Sequence, residues 1–406
     1  MRLAVVGNPG NRRVALFAEA VTRAGLPAPA IYPWRDVLTD GPVPGPGETV
    51  RIDSPGEDSE VDVLLRGGSS PAGPFPTDLS LACPSLVDLS PAVPSPVGLS
   101  LAGPSSAALS LAGPFAGSPQ ALPAAARPGE IVGAAAAYAG LGRALERVAA
   151  GGGRLLNPVG DILTMNDKRL CHARLLDAGI PVPPALPPVA SFAELRAAMT
   201  AYGWGRVFVK PRHGSSASGV LALTVSGRRI MAMTSVEIGA DGRLYNNLRV
   251  RRYDDEATIA GIVDRLAPDG LHVERWFPKA SLGDRVLDLR VVVIAGEPAH
   301  VVARTSRTPL TNLHLGNARG EVAAVRAAAG GTAWAAAMRT CTEVARCFPR
   351  SLHVGVDLMF RSGWRTHAVA EVNAFGDLLN GQTTYESEVA ALLDGHYESW
   401  AGACVS

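Results

Sequence analysis

Lysines next to glycine and serine, and carboxylates inside apolar runs, are the residue types in this chain that can do chemistry. Asn166-Asp167-Lys168 opens a helical stretch that closes at Ala178-Gly179-Ile180-Pro181-Val182-Pro183. Val207-Phe208-Val209-Lys210-Pro211 reads as a strand delivering a second lysine, and His213-Gly214-Ser215-Ser216-Ala217-Ser218-Gly219-Val220 follows it. Side chains this small let backbone N–H groups approach and wrap phosphate oxygens, so two ammonium groups and this loop can cover a triphosphate. Taken alone, the same loop also reads as a plain hairpin turn. Glu274, within His272-Val273-Glu274-Arg275-Trp276-Phe277-Pro278-Lys279, sits among apolar residues as an acceptor for an adenine amino group or as a strand-end acid paired with a basic neighbour. Gly355-Val356-Asp357-Leu358-Met359 and Ala370-Glu371-Val372-Asn373-Ala374 read as strands carrying polar residues among apolar ones. Glu371 and Asn373 are two apart and so share a strand face. Asp357 on a neighbouring strand completes an all-oxygen set of the kind that holds Mg²⁺ beside nucleotide phosphates. Unpaired buried carboxylates would cost several kcal/mol each, which argues against a merely structural role.

Elements must exist to position these groups. Leu3–Gly7 reads as a buried strand, followed by the turn Gly7-Asn8-Pro9-Gly10-Asn11 and a helix from Arg12 to Ala24. The turn lacks GxGxxG, so a dinucleotide fingerprint is not supported. Thr49–Ile52 and Val61–Leu65 are further strand candidates, and Glu130–Ala150 is an Ala-rich helix closed by Gly151-Gly152-Gly153. Beyond the triple glycine, helices are expected at Ala257–Leu266 and Gly331–Cys347. Strands are expected at Arg206–Lys210, Arg290–Ala295, His300–Ala303, Gly355–Phe360 and His367–Val372. The expected organisation is an N-terminal α/β domain over 1–150, an α+β region over 151–393 and a C-terminal tail over 394–406.

Residues 67–128 are different in kind. Only Asp78, Asp88 and Arg127 are charged there, and 12 of the 32 prolines fall in it. A ten-residue repeat runs Asp78-Leu-Ser-Leu-Ala-Cys-Pro-Ser, Asp88-Leu-Ser-Pro-Ala-Val-Pro-Ser, Gly98-Leu-Ser-Leu-Ala-Gly-Pro-Ser, Ala108-Leu-Ser-Leu-Ala-Gly-Pro-Phe. A proline in each unit prevents a helix and removes strand donors, so the segment reads as an extended surface insertion or a partner-docking arm. The same prolines and serines prevent a membrane span. Over the whole chain 38 Lys+Arg balance 37 Asp+Glu, which supplies no basic field for nucleic acid. Five cysteines without CxxC or Cys/His spacing, and no signal-peptide core, suit a reducing, cytoplasmic setting.

The order Lys168, Lys210 with its Gly/Ser loop, Glu274, Asp288-Leu289-Arg290, Asp357 and Glu371-Val372-Asn373 resembles the ATP-grasp superfamily, in particular the branch of ribosomal-protein S6 glutamate ligases and glutathione synthetases. The resemblance covers roughly 150–393. His272–Lys279 with Thr311-Asn312-Leu313-His314-Leu315-Gly316-Asn317, and Ser54-Pro55-Gly56-Glu57-Asp58, also resemble a little-characterised bacterial group, the STM-type ATP-grasp proteins. This resemblance implies a pre-ATP-grasp α/β domain followed by two α+β subdomains with ATP between them. It assigns Lys168 and Lys210 to the α- and β-phosphates, with Gly214, Ser215, Ser216 and Gly219 in the phosphate loop. Glu274 and the backbone around Trp276 and Phe277 would hold adenine, and Asp288 the ribose side. Arg290 and Arg304 would face the transferred phosphoryl group and the substrate carboxylate, Arg304 stabilising the oxyanion. Asn312 matches an asparagine of the ligases, and Asp357, Glu371 and Asn373 would bind two Mg²⁺, with Mn²⁺ as a substitute. One departure stands out: Leu310 occupies the place of an arginine two positions before that asparagine, and Arg307 is the nearby substitute.

The implied activity is an ATP-dependent carboxylate–amine or carboxylate–thiol ligase working through an acyl phosphate. The substrates would be a small-molecule or peptide carboxylate and a nucleophilic acceptor, with no nucleic acid and no membrane as partner. Whether the chain is a homodimer stays open. The alternatives are a nucleotide-binding regulatory or scaffold protein that has lost ligation, and a small-molecule kinase. His213, His314 and Lys279 are secondary candidates, and Cys341 and Cys347 read as helix core.

Overall fold

The uninterrupted apolar run near the start forms β1 (Arg2–Val6), with its last four residues buried as a strand covered on both faces requires. Helix α1 (Arg12–Arg23) begins where the Asn11 side chain accepts from the Arg13 amide, and it buries Val14, Phe17, Ala20 and Val21 at helical spacing. Then come β2 (Ala30–Tyr32), α2 (Trp34–Leu38), β3 (Glu48–Ile52), α3 (Ser59–Gly67), α4 (Ala134–Ala150) and β4 (Arg154–Leu155). These strands form a parallel sheet in the order β2-β1-β3-β4. The fourth strand follows the triple glycine, so residues beyond Gly153 complete the first sheet.

This architecture comes from a computed structural model that describes residues 1–56, 58–67, 129–214, 217–375 and 382–405. Apart from Gly67 the repeat segment lies outside the described residues, as do Glu57, Ser215 and Ser216. The expected strand Val61–Leu65 is a correction: it is the middle of α3. The Asp58 carboxylate accepts from the Glu60 and Val61 amides and nucleates a helical turn, after which Val61 and Leu65, four apart, are the buried pair. Val61, Val63 and Leu65 alternate as in a strand while Val61, Leu64 and Leu65 fall at helical spacing, and the cap decides. Helix α4 starts at Ala134 rather than Glu130, because Gly133 adopts φ 67° immediately before it.

The chain continues with α5 (Val159–Asn166), α6 (Lys168–Asp177), α7 (Phe192–Ala201), β5 (Arg206–Pro211), β6 (Leu221–Ser226), β7 (Arg229–Ile238), β8 (Leu244–Tyr253), α8 (Glu256–Leu266) and β9 (Leu271–Arg275). An antiparallel sheet results, ordered β8-β7-β6-β5-β9. Leu195 and Met199 of α7 and Ile259, Ile262 and Val263 of α8 bury its inner face with Val207, Val209 and Leu223. The last part contains β10 (Ser281–Leu282), β11 (Arg285–Ile294), β12 (Glu297–Ser306), β13 (Ala318–Gly320), α9 (Val322–Arg346), β14 (His353–Phe360), β15 (His367–Asn373), α10 (Thr384–Leu393) and α11 (His396–Val405). Its sheet runs β13-β12-β11-β14-β15, with β10 added to β11. The helix expected at Gly331–Cys347 is the second limb of α9, which breaks at Gly330 (φ 76°, ψ 160°). Strand β14 is buried along its whole length. One apolar cluster links the first sheet, through α4, α5 and α6, to the last sheet and α9. Among the described residues no helix is long and apolar enough to cross a membrane.

Candidate active site

A cleft of about 730 Å³ lies between the two antiparallel sheets. Lys168 is the first residue of α6, and the Asp167 side chain fixes that start by accepting from the Arg169 and Leu170 amides. The Lys168 ammonium donates to the Gly214 carbonyl at 2.7 Å and lies 3.1 Å from the Glu371 carboxylate. Lys210, near the end of β5, donates to the Glu274 carboxylate at 2.7 Å and to the Ala370 carbonyl at 3.2 Å. Ala370 is the extra residue where the β14–β15 register shifts, since Asp357 faces Glu371 while Leu358 faces Val369. A bulge redirects local backbone groups, here presenting a carbonyl to the lysine. Two lysines from separate elements thus end on consecutive residues of β15.

Strand register explains the rest of the wall. Asp288 and Arg290 are two apart on β11 and share a face. Asp288 stands opposite Arg304, and Arg290 opposite Asp357, which in turn stands opposite Glu371. Cross-strand pairs of opposite charge are the contacts this register favours. Arg304 donates to Asp288 at 2.7 Å and lies 3.1 Å from the second oxygen of Asp357. Arg290 forks onto both Asp357 oxygens. Lys279 reaches Asp288 at 3.1 Å and Thr311 Oγ1 at 2.8 Å, and the Thr311 hydroxyl also donates to Asp288.

Burial and neighbouring charges tune these groups in opposite directions. Burial pushes the Glu274 carboxyl up, but Lys210 and His272 beside it outweigh that and hold it at about 2. Burial is likewise overridden at Asp357 by Arg290 and Arg304, and at Asp288 by Arg304 and Lys279; both carboxyls stay below the usual range. The Lys279 ammonium is lowered, because burial outweighs the attraction of Asp288. His272 is also lowered by burial, despite Glu274 at 2.9 Å. The cleft lining brings the basic side chains of Lys168, Lys210, Arg275, Lys279 and Arg304 together with the acidic ones of Glu274, Asp288, Asp357 and Glu371.

Of the residues singled out from sequence, Lys168, Lys210, Gly214, Glu274, Phe277, Asp288, Arg304, Asn312, Asp357 and Glu371 line this one cleft. Arg290 and Asn373 stand behind it, joined to the wall through Asp357 and the Gly355 carbonyl, which accepts from Asn373 at 3.4 Å. Gly219 closes the phosphate loop with φ 71°, and a Cβ there would lie 2.7 Å from the Pro211 ring. Ser215 and Ser216 fall outside the described residues. Trp276 turns away: its amide donates to Arg206, and its ring packs against Phe208 at 5.0 Å. Both Glu274 oxygens are engaged by Lys210 and His272. Arg307 does not take the place open at Leu310. It is 70% exposed and pairs with Asp284 at 2.8 Å, while Leu310 is buried in the cleft wall.

Sequence reasoning passed over Thr311 and His272 as working groups and left Lys279 undecided. All three sit in the polar segments already singled out, but only the register shows that Lys279 and Thr311 converge on Asp288. His314 is exposed on the turn after Asn312. Cys341 is fully buried and Cys347 partly so, as expected of helix core.

A metal ion can be tested against these donors. Among the described residues no group of three or more His, Cys, Asp or Glu could hold one. Asp357 and Glu371 face each other across adjacent strands, with the Asn373 amide two residues on. In their present setting cationic side chains serve as counter-charges, Arg290 and Arg304 at Asp357 and Lys168 at Glu371. Two hard carboxylates and an amide fit Mg²⁺ if phosphate oxygens complete its shell.

No protein-family model and no curated protein matches the sequence. Among solved structures, the chain is similar to D-cycloserine synthetase DcsG, with a TM-score of 0.54 and 14% identity over 98% of this chain and 100% of that one. It is also similar to the macrocyclase MdnC bound with precursor peptide MdnA from Microcystis aeruginosa (TM-score 0.49, 10% identity, 97% and 100% covered). A third is the ATP-grasp ligase PsnB complexed with precursor peptide PsnA2 and AMPPNP (0.46, 13% identity, 98% of each chain). The first of these likenesses carries the fold, and the chain has the ATP-grasp fold.

Proposed function

We propose that this chain is an ATP-dependent ligase that activates a carboxylate as an acyl phosphate and joins it to an amine. The observation that supports this reading is the meeting of Lys168 and Lys210 on Glu371 and Ala370, beside Asp357 and Arg304. A carboxylate is a poor electrophile because its leaving group is poor. In the proposed reaction a substrate carboxylate oxygen attacks the γ-phosphorus of ATP, and the bond from that phosphorus to the β-bridging oxygen breaks. The amine nitrogen then attacks the acyl carbon; a C–N bond forms, the C–O bond to phosphate breaks, and phosphate leaves with release of one proton.

Phosphoryl transfer asks mainly for positioning and neutralisation. Lys168 and Lys210 neutralise phosphate oxygens from one side. Arg304, pinned by Asp288 and Asp357, is a fixed cation for the oxyanion of the tetrahedral intermediate. Asp357, Glu371 and Asn373 would hold Mg²⁺, which when bound adds positive charge against the transferred group; Mn²⁺ shares its preference for hard oxygen. Glu274 acts as counter-ion to Lys210 and keeps its ammonium at the cleft wall.

The test is ADP and phosphate release with Mg²⁺, screened over amino acids and peptides, with the product analysed for a new amide. Release that needs both a carboxylate and an amine, and that is lost in Lys210→Ala, is the expected result. A stable phosphate ester in place of an amide would make the protein a kinase, and release unaffected by Lys210→Ala would remove the site from the reaction.

A further inference from the structure

Lys210 is mounted on two points. A lysine ammonium has three N–H donors and no acceptor. Among the described residues, one donates to Glu274 Oε2 at 2.7 Å and a second to the Ala370 carbonyl at 3.2 Å. The third remains for the cleft that Lys210 lines. Its direction depends on both mounts. The Ala370 carbonyl belongs to the backbone of β15 and is fixed by the strand. Glu274 is a side chain, and the terminal torsion of a glutamate is broad, so its carboxylate needs a holder.

His272 is that holder. It stands directly opposite Lys210 on the paired strands β9 and β5, and Glu274, two residues on, shares its face. The His272 Nε2 lies 2.9 Å from Glu274 Oε1, while Lys210 donates to the other oxygen. Burial lowers this imidazole, so it is neutral at physiological pH. A neutral ring carries one N–H and a carboxylate only accepts, which places the proton on Nε2. The histidine is 4% exposed and is held in its turn. Its ring lies 5.0 Å from that of His172, with 57° between the planes, and His172 donates to the Pro183 carbonyl at 2.8 Å. His172 comes one turn after Lys168 on the same face of α6. The group that steadies the counter-ion of one lysine thus rests on the helix that presents the other.

We propose that His272 is a positioning residue for the nucleotide: its N–H holds Glu274 so that Lys210 presents its third donor to phosphate. Among the described residues His272 is not part of the cleft lining, so it acts only through Glu274 and Lys210. When phosphate draws the ammonium forward, the same N–H keeps the buried carboxylate from being left without a donor. The inference rests on the ligase reading for the role of Lys210, and adds a residue that this reading does not use.

The experiment is calorimetric titration of the full chain with AMPPNP and Mg²⁺, which binds without turnover. His272→Phe keeps a ring against His172 and removes the N–H. Its dissociation constant should rise about tenfold, the weight of a hydrogen bond to a charged group. His272→Gln sets an amide N–H close to the Nε2 position and should restore the constant to within about threefold of the parent. His272→Asn carries the same amide one carbon short of Glu274. It should bind as weakly as His272→Phe, and it takes that variant's place if the phenylalanine chain does not fold. Melting temperatures are read alongside, and every titration is made below the transition. A histidine with a structural role alone would lower stability in these variants and leave the affinity of the folded protein unchanged. Parent-like affinity in His272→Phe or His272→Asn, an equal loss in His272→Gln, or no AMPPNP binding by the parent overturns the proposal. The two readings fail separately. Binding that depends on His272, with no ADP formed from any carboxylate and amine, sinks the ligase and leaves the positioning role. Lys210-dependent amide formation at the parent KM for ATP in His272→Phe does the reverse.

Discussion

In the proposed reaction one buried ion pair, Lys210 with Glu274, would serve stability and chemistry together. Glu274 is 5% exposed, so removing the ammonium leaves a buried carboxylate with only a neutral imidazole beside it. Breaking such a pair costs about 3–5 kcal/mol. Lys210→Ala should therefore lower the melting temperature as well as abolish ATP turnover. Replacing both partners, Lys210→Met with Glu274→Leu, should recover most of the stability and none of the turnover, which denaturation beside an ADP assay would separate. The pair also sets an acid limit. A carboxyl held at about 2 in the fold and near its ordinary 4.5 when unfolded contributes stability that is fully present above that ordinary value. That contribution is lost as pH falls from about 4.5 towards 2, and the loss should amount to a few kcal/mol. In Glu274→Gln this part of the acid-denaturation curve should flatten; an unchanged curve would show that other groups carry it.

Elements place these residues through close approaches that particular glycines permit. Gly219 combines a left-handed φ of 71° with a Cβ position 2.7 Å from the Pro211 ring, directly behind Lys210. Gly219→Ala must shift the loop or the end of β5. We expect about 1–2 kcal/mol of destabilisation and a several-fold rise in KM for ATP, read from urea denaturation and turnover. Ala217, at φ 55° in the same loop, is strained in the opposite sense, and Ala217→Gly should be neutral or mildly stabilising. Gly140 is where α4 meets α3, and a Cβ there would lie 2.1 Å from the Leu65 carbonyl oxygen. Gly140→Ala should separate these helices at a cost of about 1–3 kcal/mol. Full stability of that variant in urea denaturation would contradict the packing.

Across the whole molecule, a buried charge cluster ties the first sheet to the C-terminal helices. Arg51 of β3 is fully buried, donates to Glu388 of α10 at 2.8 Å and lies 3.3 Å from Asp53. Its guanidinium lies 5.1 Å from the ring centres of both Phe17 and Tyr385, a cation–π arrangement that suits the planar ion. Glu388→Gln removes the charge that offsets the burial of Arg51. It should cost about 3–5 kcal/mol in global stability by thermal denaturation. Because the cluster lies outside the cleft lining, KM for ATP should stay near the parent value at temperatures where the variant is folded.

Local pattern was enough for several elements and left others, such as β6, β7 and β8, unmarked. Apolar runs with polar interruptions marked β5, β11, β12, β14 and β15, and the order of lysines, acids and the amide along the chain is what the nucleotide reading was drawn from. Val61–Leu65 escaped because its four apolar positions satisfy both periods, and the deciding hydrogen bonds come from Asp58 just outside the run. Pairing was not legible. That Lys279 and Thr311 converge on Asp288, that Trp276 turns away, and that Arg307 leaves Leu310 unaccompanied all follow from register and strand order. These are set by the burial of whole faces over long chain separations, an energy that no short window contains. The buried pair of Arg51 and Glu388 is the extreme case: they are 337 positions apart, so only the packed tertiary structure could make them neighbours.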